Sequence, residues 1–341
     1  MSAPVDVRAT PGAPTGPLLA VEDLRVRFAT EDGPVHAVNG VSFSLSAGEI
    51  LAIVGESGCG KSVTAMAIPG LLPTTATVTG SIRLGHRDLL ALSPKQLRAV
   101  RGKDVSFVFQ EPMSSLNPAF TVGRQIREVL QRHEGLSKRA AQARAVELLQ
   151  LVRIPVPQRR VDEYPHQLSG GMRQRVMIAI GVACGPKVLI ADEPTTALDV
   201  TIQAGVLDIM RDLRSELGTA IILITHDLGV VADLADRVVV MYAGMPVETA
   251  EIHELFAHPQ HPYTNGLLRA IPHREKGVEQ VARTRLAEIP GLVPSLRSEP
   301  DLCPFAPRCP RSTEVCVSHR PPLEPTRPHH PTACYHPGED A

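Results

Sequence analysis

The sequence predicts an α/β fold built on a parallel β-sheet. Two continuous apolar runs, VLIAD at 188–192 and AIILITHD at 220–227, flank a helical segment at about 201–217. A glycine-rich loop at 55–62 lies between the apolar run EILAIV and the helical stretch SVTAMAI. Apolar strands alternating with helices are typical of parallel sheets covered on both faces. Ligands of such sheets bind at the carboxyl ends of the strands, so polar residues there are functional candidates.

Pattern and composition divide the chain into a leader, a core and an extension. Residues 1–17 are rich in Pro, Ala, Gly and Thr, which predicts a leader without regular structure. Strand-like runs separated by turns begin at residue 18, and helical periodicity replaces them at 122–154, as in a helical insertion. We therefore expect a core at 18–255, with a helical subdomain at about 111–180. The extension at 256–341 carries 15 of the 31 prolines, so we expect little regular structure and no hydrophobic core there.

Composition argues against nucleic-acid binding by overall charge and against a membrane-spanning segment. The 35 basic and 36 acidic residues give a net charge of −1, so no overall basic field is available to hold nucleic acid. The longest apolar stretch, 176–191, is interrupted by Gly181, Gly185, Pro186 and Lys187 and is too short to span a bilayer. The leader has no apolar segment of the kind found in secretory signals. Any membrane or nucleic-acid contact would therefore have to be local.

The glycine-rich loop fits the phosphate-binding pattern G-x-x-x-x-G-K-[ST] at every fixed position. Its glycines allow backbone N–H groups to surround a polyphosphate, the lysine reaches the β- and γ-phosphates, and the serine hydroxyl ligates Mg²⁺. The eight residues are Gly55, Glu56, Ser57, Gly58, Cys59, Gly60, Lys61 and Ser62. Cys59 inside this loop is a candidate for sensitivity to oxidation.

Two neighbouring strands end in side chains that suit nucleotide hydrolysis. Asp192 ends the run VLIAD, where a carboxylate can hold Mg²⁺ directly or through water. Glu193 follows at once and is placed to orient or deprotonate the attacking water. His226 follows the next strand and can bond the γ-phosphate. The loop and these residues together predict a magnesium–nucleotide site.

Further motifs resemble those of the ATP-binding subunit of ABC transporters. The segment LSGGMRQR at 168–175 has a Ser-Gly-Gly turn entering a helix, and ALD stands at 197–199. With the phosphate loop, Gln110, Asp192–Glu193 and His226, these complete the motif set in the family's order over about 18–250. The resemblance implies a P-loop NTPase (RecA-like) core with an antiparallel β-subdomain and a helical subdomain. It also implies ATP and Mg²⁺ as ligands, and ATP hydrolysis as the activity.

The same resemblance implies roles for individual residues. Phe28 would stack on the adenine, and Gln110 would touch the metal or the attacking water together with the catalytic pair Glu193 and His226. Magnesium would be held by Ser62, Gln110 and Asp192. The residues that would contact ATP across a dimer are Ser169, Gly170, Gly171 and Asp199. One nucleotide would thus lie between two chains.

A closer resemblance extends over nearly the whole chain. FQEPMSSLNP at 109–118, HPYT at 261–264 with Leu267 and Leu268, and a cysteine-bearing tail are similar to the D-type ATPases of bacterial dipeptide and oligopeptide importers. The resemblance implies two membrane permeases, a second and different ATPase subunit, and an extracytoplasmic peptide-binding protein as partners. It places the chain at the cytoplasmic face of the plasma membrane. Nickel importers and some systems for other peptide-like solutes share much of the pattern.

The tail contains four cysteines, spaced by five, six and seventeen residues: Cys303, Cys309, Cys316 and Cys334. Clustered thiols in a segment with no export signal favour metal binding over disulfides. Structural zinc usually shows a C-x₂₋₄-C pair, which is absent from this spacing. The family resemblance implies a [4Fe–4S] cluster on these four thiols, a count that suits such a cluster. Zinc, or no metal, remains the alternative.

Two other functional classes fit the sequence less well than the transporter subunit. Soluble ABC-type ATPases of translation or DNA repair typically fuse two cassettes or insert a long coiled coil, whereas this chain has one of each motif and no heptad run. An iron–sulfur sensor with a vestigial nucleotide site would lack catalytic residues. Glu193 and His226 are both present, which favours a competent ATPase.

Overall fold

The computed structural model describes residues 16–196, 199–270 and 289–338. Most of the leader predicted at 1–17, the Ala197–Leu198 pair and part of the extension therefore lie outside the described residues. Within the described residues the strands form two sheets, one of four strands and one of eight. The α/β fold predicted from the sequence is confirmed.

The four-stranded sheet is antiparallel and has the order β2-β1-β4-β5. Its first two strands pair over their whole lengths, from Leu19 opposite Leu45 to Thr30 opposite Gly33. The strands are β1 (Leu19–Thr30), β2 (Gly33–Leu45), β4 (Ala76–Leu84) and β5 (Arg87–Asp88).

The eight-stranded sheet has the order β11-β12-β10-β9-β3-β8-β7-β6. Five neighbouring strands, from β9 to β6, are parallel, and the three on the other side are antiparallel. The strands are β3 (Ile50–Val54), β6 (Val105–Val108), β7 (Val188–Asp192), β8 (Ala220–Ile224), β9 (Arg237–Tyr242), β10 (Met245–Glu251), β11 (Glu324–Arg327) and β12 (His330–Thr332).

The centre of the parallel sheet explains the continuous apolar runs of the sequence. Every residue of β3, β7 and β8 is buried, as expected for central strands of a parallel sheet that is covered on both faces. The same packing leaves Asp192 as the carboxyl end of β7, at the edge where the phosphate loop follows β3. Burial of the strands therefore fixes where the polar end residues lie.

The helices lie between the strands, and several begin at a capping side chain. The segment predicted as helical at 122–154 contains two helices, separated by Gly135 in the left-handed conformation. The helices are α1 (Lys61–Ala67), α2 (Pro94–Val100), α3 (Pro112–Ser115), α4 (Val122–Glu134), α5 (Lys138–Leu151), α6 (Pro157–Arg160), α7 (Gly170–Val182), α8 (Val200–Leu217), α9 (Leu228–Leu234), α10 (Ile252–Ala257), α11 (Pro262–Arg269) and α12 (Glu314–Ser318).

The extension is more ordered than its composition predicts. β11 and β12 form a hairpin that joins the large sheet, with Thr332 opposite Glu248 of β10. Cys303, Phe305 and Cys316 are buried as part of the hydrophobic core. The expectation of little regular structure and no core is wrong, because the segment is stabilised by packing on the preceding domain. Composition alone cannot show such packing.

No helix in the described ranges is both long and apolar enough to cross a membrane. This agrees with the interruptions noted in the stretch 176–191.

Candidate functional site

The phosphate loop lies between β3 and α1 and needs glycine at its two fixed glycine positions. Gly55 and Gly60 have φ of 147° and 88°. A Cβ atom would lie 2.3 Å from the carbonyl oxygen of Met241 at Gly55, and 2.4 Å from that of Ala37 at Gly60. Only glycine fits against these backbones. The loop conformation is therefore set by the core behind it.

Lys61 is buried, and its amine is directed back into the loop. Its Nζ donates to the carbonyl oxygens of Gly55 and Glu56, at 2.8 and 2.9 Å. Burial lowers the pKa of this amine, while nearby carboxylates oppose the change. The sequence-predicted phosphate ligand is thus held inside the loop that would surround the phosphates.

Ser62 and Asp192 come together across the parallel sheet. The Ser62 hydroxyl donates to Oδ1 of Asp192 at 3.1 Å. Asp192 is buried, and burial raises the pKa of its carboxyl, while the Ser62 hydrogen bond partly opposes this. A hydroxyl and a carboxylate at this separation are suitable oxygen ligands for one magnesium ion.

Glu193 is the centre of a cluster. The sequence predicts two of its partners, Gln110 and His226, but not the third, Thr196. Gln110 Nε2 donates to Glu193 Oε2 at 2.9 Å, and Nδ1 of His226 lies 3.1 Å from Glu193 Oε1. The hydroxyl of Thr196 donates to Oε2 at 2.7 Å. Residues that follow the carboxyl ends of β6, β7 and β8 therefore meet around one carboxylate.

The surroundings keep the Glu193 carboxylate ionised. Burial by itself raises the pKa of this group, but hydrogen bonds from Thr196 and His226 and the charge of Lys61 lower it overall. The residue has φ of 45°, in the left-handed region. Non-glycine residues are strained there, and such strain is often found at active sites. An ionised carboxylate is the form that a general base requires.

The signature residues form an exposed helix start. Ser169 caps α7, its side chain accepting from the N–H of Met172 at 3.4 Å. Gly170 is exposed, whereas Gly171 packs so close to Ile202 that a Cβ would lie 2.4 Å from its Cγ2 atom. Asp199 caps α8 and accepts from Ile202 at 3.0 Å. The contact of these residues with ATP across a dimer stays a prediction.

Phe28 is half-buried on β1, opposite Val35 of β2 and Ala76 of β4. It packs against the hydrophobic core. Its stacking on adenine stays a prediction.

Cys59 is fully buried, and burial raises the pKa of its thiol. Reactive cysteines are exposed and have a lowered pKa. The structure therefore argues against oxidation sensitivity at this position.

None of the four tail cysteines forms a disulfide, and all four line one small cavity, together with residues such as His261, Phe305 and His336. The His336 N–H donates to Cys334 Sγ at 3.3 Å. Burial raises the pKa of the Cys303 thiol, and the backbone amides of Phe305 and Ala306 oppose this. Nevertheless, within the described ranges no group of three or more His, Cys, Asp or Glu side chains is arranged as metal ligands. The donor set suits a thiolate-bound group, but its present arrangement does not form a metal site.

Sequence reasoning missed three residues that contact the site. Thr196 lies three positions after Glu193 in the PTTALD segment, so its closeness in sequence was an available signal. Tyr263 contacts the phosphate loop from the HPYT segment, which was noticed only as a resemblance. Arg308 reaches the same loop from the extension, and no sequence pattern indicates this contact.

The fold and this site define a P-loop ATPase of the ATP-binding cassette class. A family model for ABC transporters matches residues 38–196, and one for the C-terminal region of oligopeptide/dipeptide transporters matches 247–316. A solved dimeric ATP-binding cassette, in a post-hydrolysis state with ADP and Pi, matches with a TM-score of 0.62. It is 26% identical and covers 69% of this chain and 98% of that one.

Three curated relatives are similar over most of their length. A probable peptide ABC transporter ATP-binding protein of Sinorhizobium fredii is 52% identical, covering 94% of this chain and 96% of that protein. An oligopeptide transport ATP-binding protein of Salmonella typhimurium is 49% identical, covering 96% of each. A dipeptide transport ATP-binding protein of Bacillus subtilis is 52% identical, covering 88% of each.

The chain belongs to the family of ATP-binding subunits of oligopeptide and dipeptide ABC transporters. Membership confirms the resemblance and the predicted ATPase activity, and it implies ATP and Mg²⁺ as ligands.

Proposed function

We propose that the chain hydrolyses ATP to drive the uptake of dipeptides or oligopeptides through membrane permeases. The names of the curated relatives support the peptide substrate. The observation that carries the hydrolytic role is the Glu193 carboxylate, which is bonded to Gln110, Thr196 and His226 beside the Ser62–Asp192 pair. The groups proposed for water activation and for magnesium binding thus lie together at one edge of the sheet.

In this mechanism each residue does one task. Lys61 would bind the β- and γ-phosphates, and Ser62, Asp192 and Gln110 would hold the magnesium ion. Glu193 accepts the proton of the attacking water, for which its ionised state is suited. His226 forms a hydrogen bond with the γ-phosphate, so this contact is lost when hydrolysis releases the phosphate.

A second chain completes the site. Ser169 and Gly170 are exposed at the start of α7, where backbone N–H groups attract anions, and Asp199 is exposed at the start of α8. These residues would meet the γ-phosphate of an ATP held by the opposing ATPase. Binding of ATP would draw the two chains together, and hydrolysis would release them.

The proposed partners are two permease subunits, a second ATPase subunit and an extracytoplasmic peptide-binding protein. Peripheral attachment to the cytoplasmic face of the membrane follows from the permeases. Purification of the tagged chain in mild detergent, followed by mass spectrometry, tests this assembly. Recovery of two permeases and a peptide-binding protein supports it, whereas ribosomes or DNA without membrane proteins would reject it.

The test of hydrolysis is Glu193→Gln, which keeps the size of the side chain but removes the base. We expect ATP binding to be kept while turnover falls by about 10²-fold or more. Glu216→Gln makes the same chemical change at an exposed position of α8 and should leave turnover unchanged. Wild-type turnover in Glu193→Gln would reject Glu193 as the base.

The four tail cysteines are the proposed ligands of a [4Fe–4S] cluster, with zinc as the alternative. Support comes from the four thiols that line one cavity and from the amide groups directed at two of the sulfur atoms. When bound, the cluster would supply cross-links between segments of the extension. Anaerobically purified protein should contain about four iron and four sulfide per chain. About one zinc per chain, without visible absorption, would overturn this assignment.

A further inference from the structure

The segment HPYT at 261–264 has no role in the catalytic mechanism proposed above. Tyr263 of this segment is fully buried at the start of α11. Its hydroxyl accepts a hydrogen bond from the backbone N–H of Glu56 at 2.7 Å. Glu56 is the first variable residue of the phosphate loop. A residue of the extension therefore holds the backbone of the loop directly.

Arg308 holds the side chain of the same residue. Its two terminal nitrogens donate to the two carboxylate oxygens of Glu56, at 2.8 and 2.9 Å. Such a two-point pairing fixes orientation as well as distance. The Arg308 side chain is only 6% exposed, and Glu56 raises the pKa of its guanidinium above the ordinary value. The guanidinium is thus nearly shielded from solvent, whereas the Glu56 side chain is 30% exposed.

The position of Arg308 is itself fixed by backbone acceptors. Its Nε donates to the carbonyl oxygen of Pro290 at 2.7 Å, and a terminal nitrogen donates to that of Ile289 at 3.0 Å. The Tyr242 hydroxyl accepts a third bond at 3.3 Å. The guanidinium is therefore held before it pairs with Glu56, which makes it a rigid anchor.

Glu56 is held at three points, because Lys61 also donates to its carbonyl oxygen at 2.9 Å. We propose that Tyr263 and Arg308 are positioning residues that clamp the phosphate loop at Glu56 and pre-organise it for nucleotide. A loop already held in place loses less conformational freedom when the phosphates bind. The extension thereby contributes to nucleotide affinity without touching the nucleotide. This proposal rests on the phosphate-binding role of the loop.

The test measures the binding of a fluorescent methylanthraniloyl ATP, with Mg²⁺, to the full chain. Arg308→Ala and Tyr263→Phe should each weaken binding by about fivefold or more, the usual lower range for coupling between sites. Arg308→Lys keeps the charge but not the two-point geometry, so it should restore part of the affinity. The double variant Arg308→Ala with Glu56→Gln should bind nucleotide no more weakly than Arg308→Ala alone, because the two substitutions remove the same contact.

Arg327→Gln is the matched control. Arg327 is also an arginine of the extension that pairs with the preceding domain, through Glu254 at 3.1 Å, but it does not contact the loop. It should bind nucleotide like the wild type. Thermal unfolding of every variant separates a fold defect from a binding defect. Wild-type affinity in both Arg308→Ala and Tyr263→Phe, or an equal loss in Arg327→Gln, would overturn the proposal. Failure of the wild type itself to bind would instead reject the role of the loop.

Discussion

The hydroxyl of Ser62 donates to the carboxylate of Asp192 at 3.1 Å, although 130 positions separate the two residues in the chain. The contact joins the first turn of α1 to the carboxyl end of β7. It brings the serine of the phosphate loop next to the carboxylate that ends β7, and these two residues are the predicted magnesium ligands. The sequence predicts each residue from its own motif, and the parallel sheet brings them together.

Asp192→Asn should abolish magnesium-dependent hydrolysis, because the amide carries no charge to hold the ion. Asp212→Asn makes the same change at a partly exposed position of α8, where the carboxylate pairs with Arg153 at 2.7 Å, and should keep activity. Magnesium affinity in the wild type should also fall with decreasing pH. Since burial raises the pKa of Asp192 above 3.8, protonation and loss of the ion begin at a higher pH than for an exposed aspartate. A titration of magnesium affinity that shows no pH dependence in the acidic range would contradict this.

Lys61→Ala should lose most nucleotide affinity, because it removes the buried amine that is directed into the loop. Lys103→Ala removes an exposed lysine, paired with Glu134 at 3.6 Å, and should bind as the wild type does. Equilibrium binding of fluorescent ATP measures both. Equal affinities in the two variants would remove Lys61 from the phosphate site.

Glu248→Ala should strongly destabilise the attachment of the extension to the sheet. Glu248 and His330 are both fully buried, with His330 Nε2 at 2.6 Å from Glu248 Oε1. The carboxylate also accepts from the N–H groups of Gln260 and His261 at 2.6 and 2.9 Å. Breaking one side of a buried pair costs about 3–5 kcal/mol.

Denaturant unfolding measures that loss. Glu324→Ala, on the exposed strand β11, removes the same side chain without a buried partner and should change stability little. A loss in Glu248→Ala no larger than in Glu324→Ala would show that the buried pair does not hold the extension.

His261 predicts a pH dependence of stability in the acidic range. Burial lowers the pKa of this imidazole from 6.5 to about 4, so the folded chain keeps it neutral. The unfolded chain takes up the proton below about 6.5, so stability should decrease as pH falls from about 6.5 to 4. At about 1.4 kcal/mol per pKa unit, the full effect is about 3 kcal/mol.

The pH profile of unfolding for His261→Asn is the measurement. Asparagine cannot be protonated, so this variant should lose that part of the slope, even where its overall stability is lower. His329→Asn, at an exposed position, should keep the wild-type profile. Parallel profiles for His261→Asn and the wild type would show that His261 is not the source.

Local sequence patterns predicted the elements that carry the chemistry. Burial determines which residue types each segment carries. It accounts for the apolar runs of β3, β7 and β8 and for the helical periodicity of α4 and α5. The sequence predicts Gln110, Glu193 and His226 as a group, and the structure places Gln110 and His226 within hydrogen-bond distance of the Glu193 carboxylate. Their catalytic roles stay predictions.

The extension was predicted less well, for a physical reason. Its prolines and histidines indicate irregular structure, yet the hairpin of β11 and β12 continues the large sheet through Glu248 and Thr332. The hydrogen bonds that order this segment come from residues about 80 positions away. A pattern within the segment cannot encode partners that lie outside it.

The sequence by itself determined the phosphate loop, the acidic residues at the strand ends and the family, because each depends on residue types at short spacing. Only the tertiary structure decided that the extension reaches that loop. Arg308 and Glu56 are 252 positions apart, and they pair because the chain folds back onto the large sheet. Short spacing fixes local backbone geometry, whereas contacts at this separation exist only once the whole core has packed.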